Sequence, residues 1–183
     1  MIYTQDQEFE MISGKSIKLK LHGFSQNIFT DENLKGVVLI VHGLGEHSGR
    51  YGKIIDDLGQ KKFAVCTFDL PAHGINRLCD MKYESFESFV LNIVEAVHFL
   101  QKKFTLKTGA QNIYLFGHSF GGLLSVYAAK ILGEKISGLY LSSPCFGVLE
   151  KIPFWKRFAA QKLNKFLPNL KVPTGVKPHV LSN

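Results

Sequence analysis

The chain has 183 residues, a hydrophobic content of 45% and a formal net charge of +7. This length predicts one domain or part of a larger one, and the apolar content is enough for a sizeable core. No apolar run approaches the roughly 20 residues of a membrane-spanning helix, and we expect no secretory signal at the N-terminus. The cysteines Cys66, Cys79 and Cys145 are scattered and odd in number, which favours reduced thiols in a cytoplasmic protein.

The positive charge is concentrated in one segment. Residues 1–150 carry equal numbers of basic and acidic side chains, 15 of each, whereas residues 151–183 carry the remaining seven Lys and Arg and no acid. This asymmetry requires an explanation that is local to the basic segment.

The predicted elements begin with an antiparallel hairpin, in which residues 9–12 and 17–24 flank a Ser-Gly-Lys turn. Buried strands are predicted from continuous apolar runs at residues 37–41, 63–68, 112–116 and 136–141. Helices are predicted at residues 51–62, 86–100 and 122–130, and Ser85 is a suitable N-cap for the second.

This alternation of strands and helices predicts an α/β fold, with a mostly parallel sheet and helices on both faces. In such sheets the active site lies beyond the carboxyl ends of the strands. The residues that follow those ends are His42-Gly43, Asp69, Ser119 and Ser143-Pro144.

The turn between the third buried strand and its helix reads Gly117-His118-Ser119-Phe120-Gly121. A strand, a G-x-S-x-G turn and a helix are the context of a nucleophile elbow, where a sharp turn exposes the serine hydroxyl. Gly117 and Gly121 are expected because side chains there would block the turn. Acyl transfer also needs N–H donors for the oxyanion, and we expect them from Phe120 and from Leu44 in the loop after the first buried strand.

Three segments in this order resemble the monoglyceride lipase and lysophospholipase branch of the α/β-hydrolases. They are residues 42–51 (HGLGEHSGRY), 117–122 (GHSFGG) and 141–144 (LSSP), and the resemblance extends over nearly all of residues 5–183. It implies an α/β-hydrolase that cleaves monoacylglycerol or lysophospholipid esters through an acyl-enzyme, with no metal or organic cofactor.

The resemblance also implies roles for individual residues. Ser119 would be the nucleophile, with the N–H groups of Leu44 and Phe120 as the oxyanion hole. The residues implied to support the elbow and the loop are His42, Gly43, Gly117, His118 and Gly121. One departure lies at residues 72–76 (AHGIN), where the family has Gly-His-Gly-x-Ser, and we assign His73 a supporting rather than a catalytic role.

The second departure concerns the catalytic triad, which this fold places in the order Ser, acid, His. Only Glu134, Glu150 and His179 follow Ser119 as candidates. Glu150 and His179 satisfy the order formally, but the family's acid and base follow a cap and two further strands. We therefore interpret residues 1–147 as the N-terminal part of a hydrolase core and residues 148–183 as the start of its cap. An unassisted serine is a weak nucleophile, so we expect this chain alone to be poorly active.

The basic segment contains a predicted amphipathic helix at residues 153–167. Its apolar stripe includes Trp155, Phe158 and Phe166, and Lys162 lies beside it. Basic amphipathic helices with aromatic residues suit membrane interfaces, so we expect peripheral membrane contact here. The alternative is a helix that packs on the core with solvated lysines. A nucleic-acid partner is not expected, because no aromatic-basic module matches.

Two other functions remain compatible with the sequence. One is an esterase or serine aminopeptidase relative that acts on a different acyl or amide substrate. The other is a non-catalytic fragment that binds lipid or membrane through residues 151–177.

Overall fold

The structure, a computed structural model, describes residues 3–10, 16–23, 33–76, 85–108 and 112–147. The chain divides into two compact units, Met1–Cys145 and Phe146–Asn183. All the helices and strands named below belong to the first unit. The predicted division into core and cap at residue 147 stays a prediction.

The first unit is built on a sheet of six strands. They are β1 (Tyr3–Glu10), β2 (Ser16–Gly23), β3 (Gly36–Val41), β4 (Phe63–Phe68), β5 (Ile113–His118) and β6 (Gly138–Ser142). Their order across the sheet is β1-β2-β4-β3-β5-β6. Strands β4, β3, β5 and β6 pair in parallel, whereas β1 and β2 join them as an antiparallel hairpin. The predicted α/β architecture is confirmed.

The helices pack on both faces of this sheet. They are α1 (Gly52–Gln60), α2 (Phe86–Thr108) and α3 (Phe120–Leu132). Along β3, Val37, Leu39 and Val41 belong to the cluster that contains the buried side chains of α2 and α3. The alternate residues of β3, Val38 and Ile40, belong to a second cluster with Ile55 of α1. Strand side chains alternate between faces, so the continuous apolar run of β3 is explained by burial on both sides.

Some predicted boundaries shift in the structure. Helix α3 begins at Phe120 and β5 extends through His118, so the predicted turn is reduced to one residue between them. Helix α1 is shorter than predicted, because Tyr51 belongs to a separate 3₁₀ turn, Ser48–Tyr51, and Lys61 and Lys62 form a turn after the helix. Strand β6 begins at Gly138, where its pairing with Tyr114 of β5 starts.

Several predicted features lie outside the described residues. They are the hairpin turn at residues 13–15, Cys79, Glu150, His179 and the basic segment with Trp155, Phe158, Lys162 and Phe166. Within the described part of the chain, none of the helices has the length and apolar character needed to cross a membrane.

Candidate active site

Ser119 is the single residue between β5 and α3. Its φ of +51° and ψ of −117° put a residue with a side chain into a region that L-residues rarely adopt. Such a conformation costs about 1–3 kcal/mol and persists only where the surrounding structure imposes it. Ser119 therefore has the strained geometry of a nucleophile-elbow turn, and the residue is half-buried.

Close packing around the turn explains its glycines. A Cβ on Gly117 would lie 2.6 Å from the Ser125 hydroxyl oxygen and 2.7 Å from the carbonyl oxygen of Gly121. A Cβ on Gly121 would collide with the backbone carbonyls of Val41 and His42. Because those neighbours are largely backbone, they cannot move aside, and only glycine fits at either position.

Hydrogen bonds fix the backbone of Ser119 to the end of β6. Its N–H donates to the carbonyl of Ser142 at 3.0 Å, and its own carbonyl accepts from Cys145 at 3.0 Å and from Leu123 at 3.2 Å. The bond from Leu123 is the first of α3. The N–H groups of Phe120 and the two glycines after it consequently have no partner inside the helix, and they form its positive end.

The loop after β3 approaches Ser119 from the other side. A Cβ on Gly43 would lie 3.1 Å from the Cβ of Ser119, so the backbone of this loop passes directly beside the serine. The neighbouring Leu44 has a side chain that is 60% exposed. Gly45 donates its N–H to Nε2 of His73 at 3.0 Å, which holds the far side of the loop.

His42 is completely buried beneath this loop. Its Nδ1 donates to the carbonyl of Gly43 at 2.8 Å, and its Nε2 accepts from the N–H of Leu70 at 2.9 Å. Burial lowers the pKa of His42. A ring in which one nitrogen donates and the other accepts is neutral. His42 therefore connects the ends of β3 and β4 without a charge.

Asp69, at the end of β4, organises the loops on the same side. Its carboxylate accepts from the N–H of Ser48 at 2.6 Å and from the N–H of Ile75 at 2.8 Å. Burial alone would raise the pKa of Asp69, but the hydrogen bonds from Ser48 and Ile75 outweigh it and lower the pKa. Sequence analysis placed Asp69 at a strand end but did not indicate this role.

The structure thus brings Ser119, the Gly43 loop and the start of α3 together. It does not bring a histidine and a carboxylate into a triad with Ser119 among the described residues. Glu134, the one described acid after Ser119, is exposed in a 3₁₀ turn at the end of α3, and Glu150 and His179 lie outside the described part. The described residues also contain no group of three or more potential metal ligands.

Comparisons with known proteins identify the family of this fold. The family model described as serine aminopeptidase, S33 matches residues 32–183. The chain belongs to this family. Within it, the chain lies in the monoglyceride lipase-like branch of the α/β-hydrolases, as the sequence motifs predicted.

Relatives and solved structures of this branch are similar over most of the chain. "Phospholipase YtpA" of Bacillus subtilis is 31% identical over 141 residues, which are 76% of this chain and 52% of that protein. The monoglyceride lipase of Rattus norvegicus is 32% identical over 139 residues, 75% of this chain and 45% of the lipase. The structure of Paleococcus ferrophilus monoacylglycerol lipase is 31% identical with a TM-score of 0.64, covering 88% of this chain and 56% of that one. The chain therefore spans about half the length of these relatives.

Proposed function

We propose that the chain carries the nucleophile and the oxyanion hole of a serine hydrolase that cleaves lipid esters. Ser119 is the nucleophile, and the N–H groups of Leu44 and Phe120 are the oxyanion donors. The observation that supports this most directly is the strained backbone of Ser119 between β5 and the N-terminus of α3, with Gly43 beside it. Membership of the monoglyceride lipase-like branch points to the same chemistry.

The proposed reaction has two steps. The hydroxyl oxygen of Ser119 attacks the ester carbonyl, its proton passes to a general base that is not among the described residues, and the carbonyl electrons move onto the oxygen that faces the N–H donors. Collapse of this intermediate expels the alcohol, which takes up the proton, and leaves an acyl-enzyme that water hydrolyses. Loss of one oxyanion donor typically costs about 3–4 kcal/mol of transition-state stabilisation.

The proposed substrates are monoacylglycerols or lysophospholipids. Their support is the similarity to proteins named monoglyceride lipase and phospholipase. The name of the matched family favours a second candidate, an amide substrate with a free amino terminus. Parallel assays with a monoacylglycerol, a lysophospholipid and an aminoacyl anilide distinguish these possibilities, and we expect the glycerol ester to be hydrolysed fastest.

A fluorophosphonate probe tests the proposed nucleophile. We expect slow labelling of the full chain, because oxyanion donors and substrate binding retain about 10³–10⁴-fold catalysis over water when triad members are removed. Ser119→Ala should abolish labelling. The matched control is Ser137→Ala, which changes an exposed serine at the opposite end of β6 and should leave labelling unchanged. Equal labelling of Ser119→Ala and the unmodified chain, or no labelling at all, would contradict the proposal.

We also propose peripheral membrane contact through residues 151–177. Its support is the cluster of basic residues interleaved with Trp155, Phe158 and Phe166. Co-sedimentation with anionic vesicles should weaken when Trp155 and Phe158 are both replaced by alanine. Unchanged sedimentation would contradict this membrane contact.

A further inference from the structure

One carboxylate, that of Glu46, lies at the centre of the polar contacts beside Ser119. Its Oε2 accepts from the N–H of Gly43 at 3.3 Å and from the hydroxyl of Tyr51 at 3.0 Å. Its Oε1 accepts from the guanidinium of Arg50 at 3.0 Å. With 13% of its side chain exposed, Glu46 makes these contacts largely shielded from water, where hydrogen bonds to a charge are strong.

Glu46 closes the loop that contains Leu44. The N–H of Glu46 donates to the carbonyl of Gly43 at 3.3 Å, while its carboxylate accepts the N–H of Gly43. The peptide units between Gly43 and Glu46 are thereby held at both ends. Since the backbone of Gly43 lies against the Cβ of Ser119, the position of this loop determines where the N–H of Leu44 lies relative to the serine.

The same carboxylate reaches the other side of the site through His118. Nε2 of His118 lies 3.6 Å from Oε1 of Glu46. Nδ1 of His118 lies 3.0 Å from the carbonyl oxygen of Ser142, the group that also accepts the N–H of Ser119. The carboxylate of Glu46 therefore lies between the loop after β3 and the residue that immediately precedes Ser119.

We propose that Glu46 is a positioning residue, which fixes the N–H of Leu44 and the hydroxyl of Ser119 relative to each other. This inference rests on the proposed function, because it assigns Glu46 a purpose in that same site. Groups that hold reacting residues in place must do so within about 0.5 Å, which hydrogen bonds from a buried partner achieve. Glu46 does not touch the reacting atoms and acts only through Gly43 and His118.

The partners of Glu46 are suited to hold it. Burial, reinforced by the Glu46 carboxylate, raises the pKa of Tyr51, so its hydroxyl remains a donor. Arg50, four residues along, supplies a compensating positive charge. Replacement of Glu46 by alanine would leave the N–H of Gly43 and the hydroxyl of Tyr51 without this acceptor, whereas glutamine retains one carbonyl oxygen.

Amide hydrogen exchange in the full chain tests this role without any need for activity. In Glu46→Ala we expect the amide of Gly43 to exchange at least tenfold faster, while core amides such as that of Leu39 remain protected. Glu46→Gln should give an intermediate rate. The matched control is Asp57→Asn, which removes an exposed carboxylate paired with Lys53 on α1 and should change nothing at Gly43. Unchanged exchange at Gly43 in Glu46→Ala would overturn the proposal.

The second measurement is the rate of fluorophosphonate labelling at saturating and subsaturating probe. We expect Glu46→Ala to lower the maximal rate at least tenfold with little change in probe affinity, and Glu46→Gln to recover part of the loss. Labelling of Glu46→Ala at the unmodified rate would overturn the positioning role. An unlabelled parent chain would instead overturn the proposed function, and the exchange rate of Gly43 would still decide whether Glu46 holds the loop.

Discussion

At the scale of single residues, the turn around Ser119 is determined by steric exclusion. Gly117 and Gly121 are required because their neighbours are backbone or tightly held atoms. The spacing of these glycines around a serine is visible in the sequence, which is why the turn could be predicted. The positive φ of Ser119 then follows from the direct passage of β5 into α3.

Gly121→Ala should destabilise the protein severely. The added methyl group meets the carbonyl oxygens of Val41 and His42, and we expect a loss of at least about 3 kcal/mol, the upper range for overpacking. Gly52→Ala is the control, because a Cβ there meets nothing within 4 Å and the residue has helical angles. It should be neutral or stabilise α1 by up to about 1 kcal/mol. Equal stability of both variants in denaturant unfolding would refute the steric explanation.

At the scale of elements, the starts of α2 and α3 are packed against each other. The rings of Phe86 and Phe89 on α2 make edge contacts with Phe120, with centroids 6.4 Å and 6.0 Å apart. The predicted cap is confirmed, since the N–H of Ser88 donates to the hydroxyl oxygen of Ser85 at 3.2 Å. The first turn of α2 therefore holds Phe120, the residue that follows Ser119, in place through these ring contacts.

Ser85→Ala should lower the free energy of unfolding by about 1 kcal/mol, the usual cost of losing an N-cap side chain. The free energy of unfolding of Ser85→Asp should lie within about 0.3 kcal/mol of that of the unmodified chain. Its carboxylate can accept the same N–H and is favourable at a helix N-terminus. Urea unfolding of both variants measures this difference. A loss in Ser85→Asp as large as that in Ser85→Ala would mean that the hydroxyl has another role.

The strands and helices were predictable because each depends on a local pattern, such as the buried run of β3 or the cap of α2. The contacts of Glu46 and Asp69 could not be predicted from the sequence. Asp69 accepts from Ser48, which is 21 residues away, and Glu46 faces His118 from a different strand end. Such pairs become neighbours only when the parallel strands align, so no local pattern indicates them. The one local indication in the sequence was that Arg50 and Tyr51, which both donate to Glu46, lie four and five residues after it.

At the scale of the whole molecule, one sheet joins the loops that form the site. Each face of its central strands is buried in a separate cluster. On the face of α1, an apolar groove of about 600 Å³ extends toward β6 and is lined by residues that include Leu58, Phe116 and Tyr140. Tyr140 is 64% exposed, so the described elements cover this face of the sheet only in part.

Asp69 should make the stability of the molecule depend on pH. Its pKa is lower in the folded state than in the unfolded chain, so its contribution is present above the unfolded value of about 3.9 and is lost as pH falls through the folded value. At pH 7 we expect Asp69→Asn to cost about 2 kcal/mol, because hydrogen bonds to a charged acceptor are replaced by weaker ones.

Denaturant unfolding between pH 7 and pH 2 checks this dependence. The difference in the free energy of unfolding between Asp69→Asn and the unmodified chain should become smaller as the pH falls. Asp57→Asn, at a carboxylate that is 55% exposed, should differ little at any pH. A difference for Asp69→Asn that stays constant down to pH 2 would show that its charge is not responsible.

The single residue that separates β5 from α3 also limits how this region can change in length. An α-helix turns by about 100° for each residue. An insertion or deletion beside Ser119 would therefore rotate α3 and carry Leu124 and Ala128, both fully buried, away from the sheet. Relatives should therefore show no insertions or deletions directly beside Ser119.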